Sequence, residues 1–180
     1  IAMVFGHFVV MADEEEMLLP WKTAELIRRH GVKRMQFTPS RAQLFLDNAA
    51  FFEAVAGTSL VILAGEALKR PLVQKFREAG CGQVWNMYGP TEATVYATAA
   101  NVTDAPRVTI GRVFPTCRGY ILDSDRRPVM PAALGELCLA GECLSDGYAG
   151  RDDLTQQYFV PDPFFPGQTM YCTGDIVRLL

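Results

Sequence analysis

Short apolar runs alternate with amphipathic segments over the first half of the chain. The apolar runs predict strands because each is brief and is bounded by glycine or by polar residues. They comprise residues 3–10, "KRMQF", "LVILAG" and "QVWNM". Between the first two runs, Trp21, Ala24 and Ile27 recur at helical spacing. This spacing predicts a helix from Pro20 to a stop at Gly31, and we interpret the polar "ADEEE" before it as a loop.

Two further helices are predicted in the same half. Ser40 and Gln43 have the spacing of a capping box, which predicts a helix that continues to about Asn48. Residues 71–79 predict the next helix, closed by Gly80. Regular alternation of strands and helices is typical of an α/β layer with a parallel sheet. We therefore expect residues 1–104 to form a three-layer αβα subdomain built on a parallel sheet.

The pattern changes near residue 105, where helical periodicity disappears and turn residues separate short β-rich runs. The β-rich runs are "RVTIGR", "RGYILDS", "GELCLAG" and "YCTGDIVRLL", and the turn-rich stretches are "DSDRRPVMP", "GYAGRDD" and "VPDPFFPG". One short helix is expected to begin at Asp152 or Asp153. We expect residues 105–180 to form a small all-β subdomain, a distorted barrel. The predicted fold class is α/β followed by this β unit.

Composition narrows the function classes. The chain has 180 residues, of which 49% are hydrophobic, enough for a substantial core. The net charge is −3 and no basic stripe is present, so a nucleic-acid partner is excluded. The longest apolar runs are too short to span a bilayer, and the first residues of the sequence do not have the charged, apolar and small pattern of a signal peptide. We therefore expect a cytoplasmic protein that has no membrane partner.

The five cysteines are scattered, and no two have the spacing of a metal-binding pair. They are Cys81, Cys117, Cys138, Cys143 and Cys172. This pattern favours reduced, mostly buried thiols over a disulfide framework or a zinc site. The sequence begins inside an apolar run without a methionine and ends inside a predicted strand, so we expect a piece of a longer chain.

Three stretches combine residue types that suit a nucleotide. "NMYGPTEATVY" (residues 86–96) follows a predicted strand and carries an amide, an aromatic ring, a hydroxyl and a carboxylate. Tyr88 can stack on a heterocycle, and Asn86 offers both a donor and an acceptor. Thr91 can bond a phosphate, and Glu92 is a hard oxygen ligand suited to Mg²⁺. The alternative is a surface turn with a half-buried tyrosine, and residue types alone leave the two readings even.

The other two stretches are weaker on their own. "LAGEAL" (residues 63–68) follows a buried strand, at the sheet edge where parallel folds bind ligands, but it equally suits a plain strand-to-helix loop. In "MYCTGD", Asp175 follows a Thr-Gly turn and can accept hydrogen bonds from both ribose hydroxyls; the alternative is a hairpin turn. Taken together, the three stretches favour a nucleotide pocket.

The same stretches carry a family resemblance that covers essentially the whole chain. "NMYGPTEATV", "GELCLAGECLSDGYAGRDDLTQQYF" and "MYCTGDIVR" resemble, in order, the fifth, sixth and seventh core motifs of the adenylation domain of nonribosomal peptide synthetases. That domain is part of the adenylate-forming superfamily, which also holds acyl-CoA synthetases and luciferases. Pro90 in "YGPTE" and the segment "FVPDPF" are more similar to the sequences of the peptide-synthetase branch than to those of the acyl-CoA synthetase branch. Cys172 departs from the motif, which usually has arginine there.

The resemblance implies an ATP-dependent ligase used in secondary-metabolite biosynthesis. Such a domain joins an amino acid carboxylate to ATP with Mg²⁺, which yields an aminoacyl adenylate and pyrophosphate. The acyl group then passes to the phosphopantetheine thiol of a carrier-protein domain. The implied partners are the amino acid, the carrier domain and neighbouring synthetase domains of the parent chain.

The resemblance also implies roles for individual residues. Thr91 and Glu92 would be catalytic, with Thr91 on the α-phosphate and Glu92 as the Mg²⁺ ligand. The implied nucleotide-binding residues are Ala64, Gly65, Asn86, Tyr88, Gly89, Thr91 and Asp175. The implied pocket for the substrate side chain comprises Gln36, Ile62, Ala64, Met87, Val95 and Tyr96.

Several family elements do not occur in this sequence: the lysine-ending phosphate loop, the aspartate motif that grips the substrate amine, and the C-terminal domain with its catalytic lysine. We therefore expect the parent protein to adenylate and the isolated piece to be inactive. Two alternatives stay open. One is a nucleotide-binding module without catalysis, and the other is activation of an aryl or fatty acid instead of an amino acid.

Overall fold

The computed structural model describes residues 6–180 and divides them into two compact units. The first unit comprises the residues up to Met87 together with Ala100–Ile110, and the second comprises Tyr88–Ala99 and Gly111–Leu180. The division predicted at residues 104 and 105 stays a prediction. No helix within residues 6–180 has the length and apolar character required to cross a membrane.

The first unit contains the parallel sheet that the sequence predicts. Strands β1 (Arg34–Phe37), β2 (Leu60–Ala64) and β3 (Val84–Tyr88) pair in that order, and every pair is parallel. The last residue of β3, Tyr88, is already part of the second unit. Strand β2 lies between β1 and β3, and its Val61 and Leu63 side chains are fully buried. This burial explains why the strand is apolar.

Five helices precede or lie between these strands along the chain. They are α1 (Glu14–Leu18), α2 (Pro20–His30), α3 (Pro39–Leu46), α4 (Ala49–Val55) and α5 (Arg70–Glu78). The apolar faces of α2 to α5 and the strands form one core, whose largest fully buried side chains include Phe51, Leu63, Phe76, Val73 and Val84. Helix α2 begins at a proline and ends at Gly31 in the left-handed conformation (φ 58°), as the sequence predicts.

The structure corrects several local predictions in the first unit. "ADEEE" is not a loop, because Asp13 and Glu16 form a capping box that starts α1. Ser40 and Gln43 do not cap α3, which begins after Thr38; Asn48 instead caps the separate helix α4. The predicted strand at residues 3–10 is partly wrong: residues 7–10 have no regular structure, and residues 3–5 lie outside the described part.

The second unit is β-rich, as predicted. Its strands are β4 (Thr98–Asn101, whose last two residues are part of the first unit), β5 (Arg112–Val113), β6 (Cys117–Leu122), β7 (Gly135–Gly141), β8 (Phe159–Pro161) and β9 (Thr169–Val177). Strands β4 and β5 pair antiparallel, and the other four form an antiparallel sheet in the order β6-β7-β9-β8. The predicted short helix is confirmed as α6 (Asp152–Tyr158).

The predicted barrel is not formed. In the part of the chain that the structure describes, the outer strands β6 and β8 are not neighbours, so the four-stranded sheet is open. Two turn and strand assignments also change. Strand β8 lies where the sequence predicts a turn, and of "RVTIGR" only Arg112 lies in a strand, as the first residue of β5. Strands this short carry too little periodicity to be recognised from sequence.

A buried carboxylate organises the loop between β8 and β9. Asp162 is 4% exposed, and its Oδ1 accepts the backbone N–H groups of Phe164 (2.8 Å) and Phe165 (3.2 Å). Its Oδ2 accepts from the Tyr120 hydroxyl (3.0 Å) and lies 3.3 Å from Arg118 Nη2. Every oxygen of this buried group therefore has partners, which is the condition for burying a charge.

Candidate functional site

Two residues implied to bind nucleotide meet in the second unit. The Tyr88 hydroxyl at the end of β3 donates a hydrogen bond of 2.5 Å to Asp175 Oδ2 on β9, across 87 positions of sequence. Burial of the ring, followed by this bond to a carboxylate, raises the pKa of Tyr88 well above its usual value. The hydroxyl thus stays a donor at neutral pH, and the exposed Asp175 has its carboxylate held in one orientation.

Asp175 is presented by an irregularity in β9 and not by the Thr-Gly turn that the sequence predicts. The register of β7 and β9 shifts so that Thr173–Asp175 lie opposite the single residue Leu137. Gly174 has φ 77° and its N–H donates to Glu136 Oε1 at 2.8 Å. A bulge of this kind re-aims a side chain at the strand surface. The hairpin alternative is therefore wrong, because β9 continues to Val177.

The implied metal ligand also has a partner in this unit. Glu92 lies in a single 3₁₀ turn (Thr91–Ala93), and its Oε1 accepts a hydrogen bond from the Tyr148 hydroxyl. Partial burial raises the pKa of Glu92, but hydrogen bonds from Tyr148 and Tyr171 outweigh that effect and hold it below its usual value. Glu92 is consequently ionised at neutral pH, as a ligand of a hard cation must be.

Tyr148 is a residue that the sequence reasoning missed. It lies in "GYAGRDD", which reads as turn chemistry, 56 positions from Glu92. Its backbone N–H donates to Thr155 Oγ1 of α6 at 2.9 Å, which positions the ring. The bond to the carboxylate raises the pKa of Tyr148. The only sequence signal was its position inside the stretch that resembles the sixth family motif.

Gly89 is required by a close approach of the backbone. The N–H of Ala97 donates to the Tyr88 carbonyl at 2.9 Å, so the chain folds back on itself here. A Cβ on Gly89 would lie 2.5 Å from the Ala97 nitrogen and 2.7 Å from Tyr96 Cα. Backbone atoms cannot move aside as a flexible side chain can, so only glycine fits.

The segment between these contacts is strained. Thr94 and Val95 have φ of 55° and 71°, and a β-branched residue rarely adopts a positive φ. The Tyr96 N–H donates to the Thr94 carbonyl at 2.8 Å, which closes a γ-turn around Val95. The Thr94 hydroxyl donates to the Cys143 carbonyl at 2.6 Å. Strain of this type costs about 1–3 kcal/mol and clusters at functional sites.

The other implied residues lie in the first unit. Gln36 is opposite Ile62 and Ala64 is opposite Met87 in the strand register, and alternation along the strands puts these four side chains on one face of the sheet. Gly65 follows β2 with φ 85°, and the nearest atom to a Cβ built on it is 3.9 Å away. The positive φ therefore favours glycine at this position, and a Cβ there would be in ordinary van der Waals contact with Thr38.

Asn86 lies on the opposite face of the sheet from Met87. It is 6% exposed, and its Nδ2 donates to the Thr109 carbonyl at 2.8 Å. This bond uses one of the two hydrogens of the amide, so base recognition by Asn86 depends on its remaining hydrogen and its oxygen. Of the thirteen residues that the family resemblance implies, six lie in the first unit: Gln36, Ile62, Ala64, Gly65, Asn86 and Met87. The other seven lie in the second unit: Tyr88, Gly89, Thr91, Glu92, Val95, Tyr96 and Asp175.

A further acidic residue, Glu66, follows β2 in the first unit. The Glu66 carboxylate accepts hydrogen bonds from the Ser40 N–H (2.9 Å) and hydroxyl (2.7 Å). The hydroxyl bond, followed by the backbone bond, holds the pKa of Glu66 below its usual value. Glu66 lies within "LAGEAL" but is not among the residues predicted from the sequence to form the site. Its observed contact links the end of β2 to the first turn of α3.

The chain belongs to the family of AMP-binding enzymes. The family model of that description matches residues 1–149. This match confirms that the chain is part of the family that its sequence resembles.

The relatives are multidomain synthetases. The chain is 37% identical to surfactin synthase subunit 3 of Bacillus subtilis over 184 residues, covering 99% of this chain and 14% of that protein. It is 35% identical to the PKS-NRPS hybrid synthetase ATPKS of Aspergillus niger over 180 residues, covering 100% of this chain and 10% of that protein. The chain therefore spans a small part of the length of the curated relatives it matches.

Solved structures agree in fold. The crystal structure of a four-domain nonribosomal peptide synthetase bound to AMP and glycine superposes with a TM-score of 0.88 at 32% identity, covering 97% of this chain and 13% of that one. The structure of CmiS6 superposes with a TM-score of 0.86 at 23% identity, covering 96% of this chain and 44% of that one, and it shares the fold. The α/β class with a separate antiparallel sheet is thus the architecture of adenylation domains.

Proposed function

We propose that this chain is part of a domain that activates an amino acid. The parent protein joins the amino acid carboxylate to ATP, releases pyrophosphate and then passes the aminoacyl group to the thiol of a carrier-protein phosphopantetheine. The relatives support the adenylating class, and the synthetase relatives favour an amino acid over an aryl or fatty acid. The carrier and the neighbouring synthetase domains are the proposed partners, and the cytoplasm is the proposed location.

The hydrogen bond from Tyr88 to Asp175 is the observation that carries the proposal. It joins the stretches that resemble the fifth and seventh family motifs within one compact unit. In our proposal the Tyr88 ring packs against adenine, while Asp175 accepts hydrogen bonds from the ribose hydroxyls. The Tyr88 hydroxyl occupies Oδ2 of Asp175, so it fixes the carboxylate before the nucleotide arrives, which reduces the ordering cost of binding.

Glu92 and Thr91 are the proposed groups at the phosphates. Glu92 fits a Mg²⁺ ion because it is a hard oxygen ligand, is ionised at neutral pH and is oriented by Tyr148. When bound, the ion supplies positive charge beside the phosphate oxygens. Thr91 is exposed beside Glu92 on the same turn, so its hydroxyl is available to the α-phosphate. The contribution of both side chains is positioning and electrostatic stabilisation.

The remaining roles are proposed from the family pattern. In the first unit, Ala64 and Gly65 would contact adenine, and Gln36, Ile62, Ala64 and Met87 would line the pocket for the substrate side chain. The adenine role of Asn86 is proposed from the family pattern alone, because its side chain is buried on the opposite face and bonded to the Thr109 carbonyl. In the second unit, Gly89 would shape the phosphate loop, and the family pattern assigns Val95 and Tyr96 to the substrate side chain. The strain at Val95 supports a functional segment there, because strain of this kind persists where the surrounding structure imposes it.

Pyrophosphate exchange on the full-length chain that carries this sequence tests the proposal. We expect exchange that depends on an amino acid, measured against a panel of amino, aryl and fatty acids. Exchange with only aryl or fatty acids would assign the alternative substrate class. ATP binding without exchange for any acid would leave a non-catalytic nucleotide-binding module. For the isolated 180-residue chain we expect no exchange above background.

A further inference from the structure

Two thiols and a carboxylate converge on one face of the antiparallel sheet in the second unit. Cys138 on β7 is the register partner of Cys172 on β9, and their Sγ atoms are 3.8 Å apart. Glu136 is two residues before Cys138, so its side chain projects from the same face of β7. One ligand atom from each of the three residues lies within 4.8 Å of the others.

The distance between the sulfurs suits a tetrahedral metal ion. A zinc–sulfur bond is about 2.3 Å, which puts two thiolates on one tetrahedral ion about 3.8 Å apart. The observed separation therefore needs no movement of β7 or β9. A carboxylate oxygen as third ligand leaves the fourth position for water, and two thiolates with one carboxylate are ligands that zinc and cadmium accept.

The residues around Glu136, Cys138 and Cys172 orient the carboxylate and leave a path by which an ion can enter. The N–H of Gly174 donates to Glu136 Oε1, which orients the carboxylate in the way that outer contacts orient metal ligands. Cys138 is 1% exposed and packs with the apolar residues Leu122 and Met170. Cys172 is only half-buried, so an ion can enter past it.

We propose that Glu136, Cys138 and Cys172 form a binding site for a thiophilic divalent cation of the zinc and cadmium class. Binding releases the two thiol protons to solvent, and the ion gains two thiolates and one carboxylate as ligands. The net charge of the site stays at −1, because the 2+ charge of the ion replaces the two protons. The bound ion ties β7 to β9 immediately before Thr173–Asp175, the bulge that carries the proposed ribose ligand.

The site does not rest on the adenylating activity. It depends on Cys172, which departs from the arginine usual in the family motif, so it is a property of this chain. The sequence disfavours a zinc site because no two cysteines have the spacing of a metal-binding pair. The register of two strands brings together residues that are 34 positions apart.

Cadmium titration of the full-length, reduced and metal-free chain is the direct test. We expect one equivalent of Cd²⁺ to produce the ultraviolet charge-transfer absorption of cadmium thiolate, and Zn²⁺ to compete for the same site. Cys138→Ser and Cys172→Ser should lose that absorption. Glu136→Gln should keep it with roughly tenfold weaker binding. Cys81→Ser, which removes a buried thiol from the first unit, should behave as the unmodified protein, and Mg²⁺ should not compete.

A second measurement keeps the test independent of how the variants fold. In the unmodified protein, Zn²⁺ should protect Cys172 from alkylation, as mapped by mass spectrometry, while excess Mg²⁺ gives no protection. The proposal is overturned if Cd²⁺ absorption persists in both serine variants, or if Zn²⁺ leaves the alkylation of Cys172 unchanged. It is also overturned if the two cysteines bind no ion and only form a disulfide when hydrogen peroxide is added as oxidant.

Discussion

The two units present their candidate residues by different physical means. In the first unit, strand register and strand ends put Gln36, Ile62, Ala64 and Met87 on one face, and backbone geometry does most of the positioning. In the second unit, single side-chain hydrogen bonds orient Asp175 and Glu92 from distant parts of the chain. We therefore expect the first unit to tolerate loss of one polar contact and the second unit to be sensitive to it.

The largest effect is expected at Glu92. In Glu92→Gln the side chain keeps its shape but loses the charge that suits it to Mg²⁺, so amino-acid-dependent pyrophosphate exchange should fall by roughly 10²–10³-fold. Glu142→Gln removes a carboxylate from an exposed position of the same unit and is the matched control. Exchange by Glu92→Gln within a few-fold of the control would contradict the proposed role as metal ligand.

Asp162→Ala should produce the largest loss of stability. It removes a buried acceptor of four hydrogen bonds, so the free energy of unfolding should fall by about 2 kcal/mol, read from denaturant unfolding. Burial raises the pKa of Asp162, but the Phe164 N–H, the Tyr120 hydroxyl and Arg118 hold it below its usual value. Its contribution is therefore present above the unfolded pKa and is lost as the pH falls through the folded pKa.

Asp125→Ala, at an exposed turn between β6 and β7, should change the stability little and serves as control. If both variants unfold at the same denaturant concentration as the unmodified protein, the loop between β8 and β9 does not depend on its buried carboxylate.

Tyr148→Phe should shift the pH profile of pyrophosphate exchange more than it lowers the exchange rate. The Tyr148 hydroxyl is one of the bonds that lower the pKa of Glu92, so its removal should raise that pKa. Since the proposed metal ligand must be ionised, the acidic limb of the exchange rate should move to higher pH. Tyr158→Phe, whose ring also contacts that of Tyr148, should leave the limb in place. An unshifted limb in Tyr148→Phe would show that this hydroxyl does not tune Glu92.

Ser40→Ala should have the smallest effect and tests the first unit. It removes the 2.7 Å hydroxyl bond to Glu66 but leaves the 2.9 Å backbone bond in place. Because Glu66 is exposed and keeps a partner, the midpoint of unfolding should change little, and the pKa of Glu66 should rise towards its usual value in a titration followed by nuclear magnetic resonance. A large loss of stability would show that the first unit depends on single polar contacts as the second does.

Local patterns explain what was predictable in the fold. The parallel strands and helices α2 and α5 were predictable because their apolar periodicity, prolines and glycines all lie within a few residues. Helix α1 was missed because its charged residues carry no apolar stripe, although the capping box of Asp13 and Glu16 was legible. Helix α4 was missed because Asn48, read as the end of one helix, caps the next.

The candidate site was predictable only in part, for a physical reason. Residue chemistry and family motifs indicate Tyr88, Glu92 and Asp175, since each lies in a distinctive stretch. The bulge that presents Asp175 and the bond from Tyr148 to Glu92 depend on strand register and on contacts across long sequence separations. The same is true of the pair Cys138 and Cys172, whose contact has no local signal.

The central claim is that Tyr88 and Asp175 act together to hold the nucleotide. A double-mutant cycle on ATP affinity, measured by calorimetry with Tyr88→Phe, Asp175→Asn and the double variant of the full-length chain, tests it most directly, with Tyr158→Phe as control. We predict that each single variant weakens ATP binding by about tenfold, or about 1.4 kcal/mol, and that the double variant is no weaker than the poorer single one. Fully additive losses, or unchanged affinity in Tyr88→Phe, would contradict the claim.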